Sequence, residues 1–383
     1  MRERVGLYAL TYSHLILLEF MVPVVCPIIY GPDPQATHRT GGVAVWMQYL
    51  GRIAEEAGLQ NHSLYIDNER VDRLPVPALM KRGLGAVQCA LQILQLPEGE
   101  GNGVVHVNTS LYPTTMIRDA PVVLAAHHRG LPILLQAHGG RLENIESSAL
   151  SRRVGHWMFR AVDRIGVFPG PQYREFEQAG YGEKLSKMYN IVPQTQATVD
   201  DEGIPHFLFL GRLAPEKGSG LTLQAFLRLM EKGHKAHLTI AGDGKLLGKL
   251  RDIAHSSGYS SAIDIVGYVT DDELKAVLER ANIFVLPSRH QEGFPLSFLE
   301  CAERGMACLV TRNSAIPEVF EEGVEFEPVD LLDADNLYRR MKKMTDDIEH
   351  RVALGKSVQK AVRTCCTIEA ATDRFERLYA NLV

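Results

Sequence analysis

The segment HFLFLGRLAPEKG (206–218) decides how this chain is read. His206–Gly211 is a short apolar run that stops at a glycine, the pattern of a strand buried on both faces. Arg212 and Lys217 follow, and a helical pattern opens at Gly218. Leu221–Lys232 then sets Leu223, Phe226, Leu227 and Met230 on one helical face. The same alternation continues downstream. HLTIAG (237–242), AIDIVG (262–267), NIFVLP (282–287) and ACLVT (307–311) read as further strands with helical stretches between them.

Upstream lies a second series of the same kind. VPVVCPIIYG, which follows Met21, reads as a first strand, and Gly42–Gly58 carries a helical stripe of Val43, Met47, Leu50 and Ala54. VVHVN (104–108), PILLQAH (132–138) and RIGVF (164–168) read as strands. Strand–helix alternation predicts parallel sheets covered by helices on both faces. The two series are divided by the polar stretch QTQATVDDEG (194–203). The expected fold class is therefore α/β, with two Rossmann-like domains at 21–195 and 204–367 and residues 1–20 as an N-terminal extension.

Length and composition agree. At roughly 150 residues per domain, 383 residues suit two domains. An apolar content of 45% and a net charge of −5 exclude a disordered chain and leave no basic footprint for nucleic acid. None of the six cysteines stands in a C-x-x-C pair, so a reduced, cytoplasmic protein without a zinc cluster is expected. Val5–Leu18 is uncharged and mostly apolar, yet shorter than the ~20 residues of a spanning helix, and Glu19 follows it directly.

In parallel α/β sheets, ligands bind beyond the carboxyl ends of the strands, where loops enter helix N-termini. Gly211, Arg212 and Lys217 fall there, and an Arg with a Lys suits a diphosphate: a forked donor beside a point charge. Taken alone, they read equally well as surface cations. EGFPLSFLE (292–300) follows another strand. Glu292 falls in its loop and Glu300 one to two turns inside the next helix, too far apart to share a proton but placed to hold two polyols of an extended ligand. Gly293, Phe294, Pro295 and Leu296 stand at that helix start, where free N–H groups (Pro295 has none) cradle anions. Asp271 and Asp272 read as helix caps rather than metal ligands, and no metal site is expected.

GRLAPEKG, AGDG (241–244), VGYV (266–269) and EGFPLSFLE, in this order and spacing, resemble the retaining nucleotide-sugar glycosyltransferases of the GT-B fold, family 4. TGGVAVWMQYL (40–50) and QAHGG (136–140) extend the resemblance into the first half. The resemblance implies two domains facing across a cleft, with a C-terminal helix (368–383) crossing back to the first. Phe375, Leu378 and Tyr379 share one face of that helix, and the cleft is expected to hinge near 194–203. It further implies a UDP- or GDP-linked sugar as donor and a glycan or lipid-linked saccharide as acceptor, with no cofactor. Arg212 and Lys217 would neutralise the departing diphosphate without a metal, Glu300 would hold the ribose and Glu292 the transferred sugar. His138 would lie near the reacting centre, Gly41 and Gly42 would admit the phosphate or sugar, and Val266, Gly267, Tyr268 and Val269 would line the base pocket. RRVGHWMFR (152–160) reads first as a core face of Trp157 and Phe159 with exposed arginines; the resemblance also allows the other reading, in which such a helix rests on the inner face of the membrane, as in relatives with lipid-linked acceptors. Two rival readings are a sugar-nucleotide 2-epimerase of the same fold and an inactive binding subunit.

Overall fold

The computed structural model describes residues 27–32, 42–56, 62–66, 76–96, 103–199, 203–290, 292–330 and 333–383. The expectations for residues 1–20, the start of the first strand at Met21 and Gly41 lie outside them.

The first domain holds strands β1 (Ile28–Pro32), β2 (His62–Ile66), β3 (Val105–Leu111), β4 (Ile133–Gly140), β5 (Arg164–Val167) and β6 (Leu185–Lys187). They form one parallel sheet in the order β2-β1-β3-β4-β5-β6. Its helices are α1 (Gly42–Glu56), α2 (Val76–Gln95), α3 (Pro113–His128), α4 (Leu142–Ile145), α5 (Ala149–Ala161) and α6 (Pro171–Phe176). The second domain holds β7 (His206–Leu210), β8 (His237–Ala241), β9 (Ile263–Gly267), β10 (Ile283–Leu286), β11 (Ala307–Thr311) and β12 (Glu327–Val329), also all parallel, in the order β12-β11-β10-β7-β8-β9. Around it lie α7 (Ser219–Glu231), α8 (Leu247–Ser256), α9 (Asp271–Arg280), α10 (Leu296–Glu303), α11 (Ala334–Asp346) and α12 (Ile348–Cys365), and the chain ends in α13 (Ile368–Ala380). This is the expected pair of Rossmann-like domains, each with its own core.

The apolar strands appear where the sequence predicts them; ACLVT coincides with β11. Three strands were not anticipated: β2, β6 and β12. All three are edge strands. An edge strand has a neighbour on one side only, so it lacks the continuous apolar run that marks a central one. At β12 the buried Glu327 is answered by Arg340, Lys343 and His350, a pattern invisible along the chain. One cap is also corrected. Thr270, not Asp271 or Asp272, is the N-cap of α9, and the Glu273 carboxylate accepts from its N–H and its hydroxyl at 2.8 and 2.9 Å.

The last helix does cross back. The chain passes from α12 to α13 where the Val192 N–H donates to the Cys366 carbonyl (2.9 Å) and Thr367 caps α13. Ile368, Ala371, Phe375 and Tyr379 then enter a core made with Trp46, Met47, Leu50 and Ile53 of α1 and with Ile29 and Leu134 of the sheet. At its base the fully buried His106 bonds Tyr379 Oη (2.8 Å) and Gln136 Oε1 (3.1 Å). Burial lowers His106 to about 3, so it stays neutral. The segment 194–199 is fastened to the second domain: Thr195 bonds Glu303, and the Val199 N–H donates to the Arg304 carbonyl.

Phe375 lies in the middle of this core, 6.0 Å from Trp46 between ring centroids. Phe375→Ala should destabilise the first domain by about 3–5 kcal/mol, the usual cost of truncating a buried aromatic residue. Urea denaturation followed by tryptophan fluorescence would measure it, and a change below 1 kcal/mol would mean that α13 is not part of the core.

Candidate active site

The carboxyl ends of the two sheets line one cleft of about 570 Å³. Tyr112, Gly139, Gly140 and Arg141, which end β3 and β4 or follow them, form one wall. Glu216, His290, Glu292, Gly293 and Asn313, which follow β7, β10 and β11, form the other. The domains meet at its floor. A Cβ on Gly293 would come within 2.9 Å of the Phe168 ring, the Asn190 amide donates to the Phe294 carbonyl, and Arg174 pairs with Glu318. A larger groove of about 870 Å³ runs along the outer side of α7. It is lined by the second domain alone, so the interdomain cleft is the candidate.

The loops of the second domain are knitted by backbone contacts that require glycine. A Cβ on Gly242 would lie 1.8 Å from the Gly211 carbonyl oxygen, and one on Gly244 would lie 2.5 Å from that of Leu213. Gly218, at φ +85°, would collide with Pro287. Gly211 and Leu213 donate to Ala241 and Asp243, and Gly242 donates to Gly267. The glycines of GRLAPEKG and AGDG thus bring three strand-end loops together and aim Arg212 and Lys217.

Lys217 Nζ lies 2.5 Å from Glu292 Oε1, and that same oxygen accepts from Ser288 Oγ at 2.7 Å. Sequence reading gave Lys217 and Glu292 separate tasks; the structure pairs them. Arg212 is exposed, and its side chain makes no ion pair or hydrogen bond among the described residues. Glu300 is partly buried on α10 and accepts no hydrogen bond among the described residues. Burial holds its carboxyl above the usual range, and the nearby Arg304 offsets part of this. It is a carboxylate without donors, suited to hydroxyl groups.

The remaining predicted residues divide. Gly42 is the first residue of α1, Pro295 is the N-cap of α10 and Leu296 opens that helix. The Phe294 side chain is buried among Phe168, Tyr189 and Phe320, so only its backbone stands at the helix start. Val266 and Tyr268 are exposed at the end of the edge strand β9, Gly267 is buried and Val269 packs on the core. His138, at the end of β4, bonds Asn108 Oδ1 through Nε2 at 2.7 Å. Burial, with His106 nearby, lowers it to about 3, so it is a neutral imidazole. Asn108 was missed, because a buried Asn inside an apolar strand gives no local signal of the histidine it serves. Among the described residues no three His, Cys, Asp or Glu side chains converge as metal ligands, and no helix is long and apolar enough to cross a membrane.

Comparison with known proteins bears on this cleft. Residues 194–361 match the family described as Glycosyl transferases group 1. The chain is 22% identical over 289 residues to the alpha-D-kanosaminyltransferase of Streptomyces kanamyceticus, covering 73% of this chain and 70% of that one. It is 28% identical over 157 residues to a GDP-mannose-dependent phosphatidylinositol monomannoside mannosyltransferase of Mycobacterium tuberculosis, covering 39% and 41%. The fold superposes on Anabaena HepE in complex with UDP and glucose, with a TM-score of 0.69 at 11% identity over 94% of this chain and 100% of that one.

The ion pair yields a prediction that needs no substrate. Lys217→Met leaves Glu292 partly buried without its cation and should cost about 1–3 kcal/mol, whereas Lys217→Met with Glu292→Gln should recover most of the loss. Chemical denaturation in a double-mutant cycle would show this; additive losses would mean that the two do not interact.

Proposed function

With a glycosyltransferase of GT-B architecture as the premise, we propose that the cleft transfers a sugar from a nucleoside diphosphate donor to a hydroxyl of a glycan or lipid-linked acceptor. In this reading the anomeric configuration is retained and no metal takes part. The observation that carries it is the pairing of Lys217 with the cleft-lining Glu292, while Arg212 and Glu300 have no ion pair or hydrogen bond from their side chains among the described residues. An incoming diphosphate competes for Lys217 and joins it to Arg212. Glu292 is thereby freed to accept from hydroxyls of the transferred sugar, and Glu300 accepts from the ribose. The two cations supply the positive charge that a metal gives other transferases and stabilise the diphosphate as its charge grows. Retention follows if the acceptor approaches on the face the nucleotide leaves, with the leaving phosphate as base.

A lipid-linked acceptor is favoured by the outer helices of the first domain. Leu84 and Leu91 of α2, Leu124 of α3 and Leu150 of α5 are all more than half exposed. α5 adds the exposed Arg152, Arg153 and Arg160 and contains no acid. Apolar side chains beside exposed cations, of which Arg152 pairs with Glu146, suit an anionic phospholipid surface. The protein should float with anionic vesicles and not with neutral ones, and Leu84→Ser with Leu150→Ser should abolish flotation. Equal recovery with both vesicle types would remove the membrane from this reading.

Activity should survive EDTA, and donor turnover should require an acceptor; turnover of donor alone would indicate an epimerase instead. Glu300→Ala should weaken nucleoside diphosphate binding by about 10- to 100-fold, whereas Glu292→Ala should spare that affinity and slow turnover. The raised Glu300 carboxyl adds a pH signature. Protonation removes an acceptor for the ribose, so affinity should fall on acidification, beginning above the usual carboxylate range, and Glu300→Gln should flatten the profile. Calorimetry across pH with the free nucleotide would test it; an unchanged profile in Glu300→Gln would place the ribose elsewhere.

A further inference from the structure

Next to Gly139, which lines the cleft, the first domain holds a buried polar row that the donor contacts above do not explain. Asn108 on β3 is fully buried beneath His138. Its Oδ1 faces two groups: Trp46 Nε1 at 3.1 Å and His138 Nε2 at 2.7 Å. Its Nδ2 donates to the Tyr30 carbonyl at 3.3 Å. These contacts leave one consistent arrangement of protons. The indole N–H can only donate, so the Asn108 atom facing it must be the oxygen. Turning the amide over would set two donors against each other at Trp46 and two acceptors against each other at Tyr30. His138 Nε2 faces that same oxygen and must therefore carry the proton. The imidazole is neutral, so Nδ1 keeps its lone pair, and it has no hydrogen-bond partner among the described residues. Gly139, the next residue, lines the cleft.

We propose that Asn108, keyed by Trp46 and Tyr30, is a positioning residue that locks His138 as the Nε2–H tautomer and so presents Nδ1 as an acceptor to a hydroxyl of the sugar in the cleft. The proposal rests on the reading of the cleft as a donor-sugar site. Three neighbours restrain the histidine: Asn108 from below, Trp46 at 5.4 Å between ring centroids, and Phe168 at 6.3 Å. Trp46 links this device to the last helix, because its indole also packs on Phe375. A hydroxyl that donates to Nδ1 is held at a fixed angle, whereas the other tautomer would turn an N–H toward it and demand that the hydroxyl reverse.

The tautomer can be read without any activity. In protein labelled with 15N-histidine, long-range proton–nitrogen spectra distinguish the protonated from the unprotonated ring nitrogen, and His138→Gln identifies the signal. The expected result is a protonated Nε2 and an unprotonated Nδ1 that shifts when the nucleotide sugar binds. Asn108→Leu should lower kcat on the order of 10²-fold while the KM for donor and the affinity for free nucleoside diphosphate stay within about threefold. Asn108→Asp reproduces both the acceptor oxygen and the donor to Tyr30 only while its carboxyl is protonated, and should recover most of the rate at the acidic end of the pH profile. A protonated Nδ1 in the wild type overturns the tautomer assignment whatever the cleft binds. A protonated Nε2 with unchanged turnover in His138→Ala overturns the proposal from the other side, by removing the sugar reading beneath it. Equal loss of rate in Asn108→Leu and Asn108→Asp across the whole pH profile would show that Asn108 acts only through packing.

Discussion

Burial of one face of α13 in the first domain is the constraint on which the rest of this structure depends. A chain of two Rossmann-like units joined by one segment could set its domains at many angles. Here the backbone crosses between them twice, at 188–195 and at Cys366–Thr367, and the two passages are bridged at Val192. Phe375 and Tyr379 complete a core that α1 and the sheet leave unfinished, and His106 accepts its place there as a neutral ring bonded to Tyr379. The carboxyl ends of both sheets consequently face each other across a cleft of ligand size.

On the second-domain side of the cleft, which Glu292 lines, charge is largely balanced within the protein. Lys217 and Glu292 neutralise each other, and Ser288 supports the carboxylate. Two groups remain open: Arg212, exposed, and Glu300, desolvated without a donor. On the opposite wall the selectivity is finer, since the atoms around Asn108 settle which nitrogen of His138 can accept. The second domain thus contributes charged groups and the first a fixed hydrogen-bonding network.

The sequence by itself determined the two parallel sheets and most of their central strands. Runs such as HFLFL and ACLVT are buried on both faces and can be satisfied only between helices. It also placed Arg212, Lys217 and Glu292 in loops after strands and Glu300 inside the helix that follows, because those positions follow from local alternation alone. Only the tertiary structure decided the rest. The edge strands β2, β6 and β12 take their partners from distant segments and leave little trace along the chain. AGDG owes its glycines to the GRLAPEKG loop that lies against it, a contact between segments some thirty residues apart. Phe294 belongs to an aromatic cluster that closes the floor of the cleft. The pairing of Lys217 with Glu292, and the proton held on His138 Nε2, depend on atoms brought within 3 Å by folding. Periodicity and composition are properties of neighbours in sequence, whereas ion pairs, tautomers and glycine contacts are properties of neighbours in space.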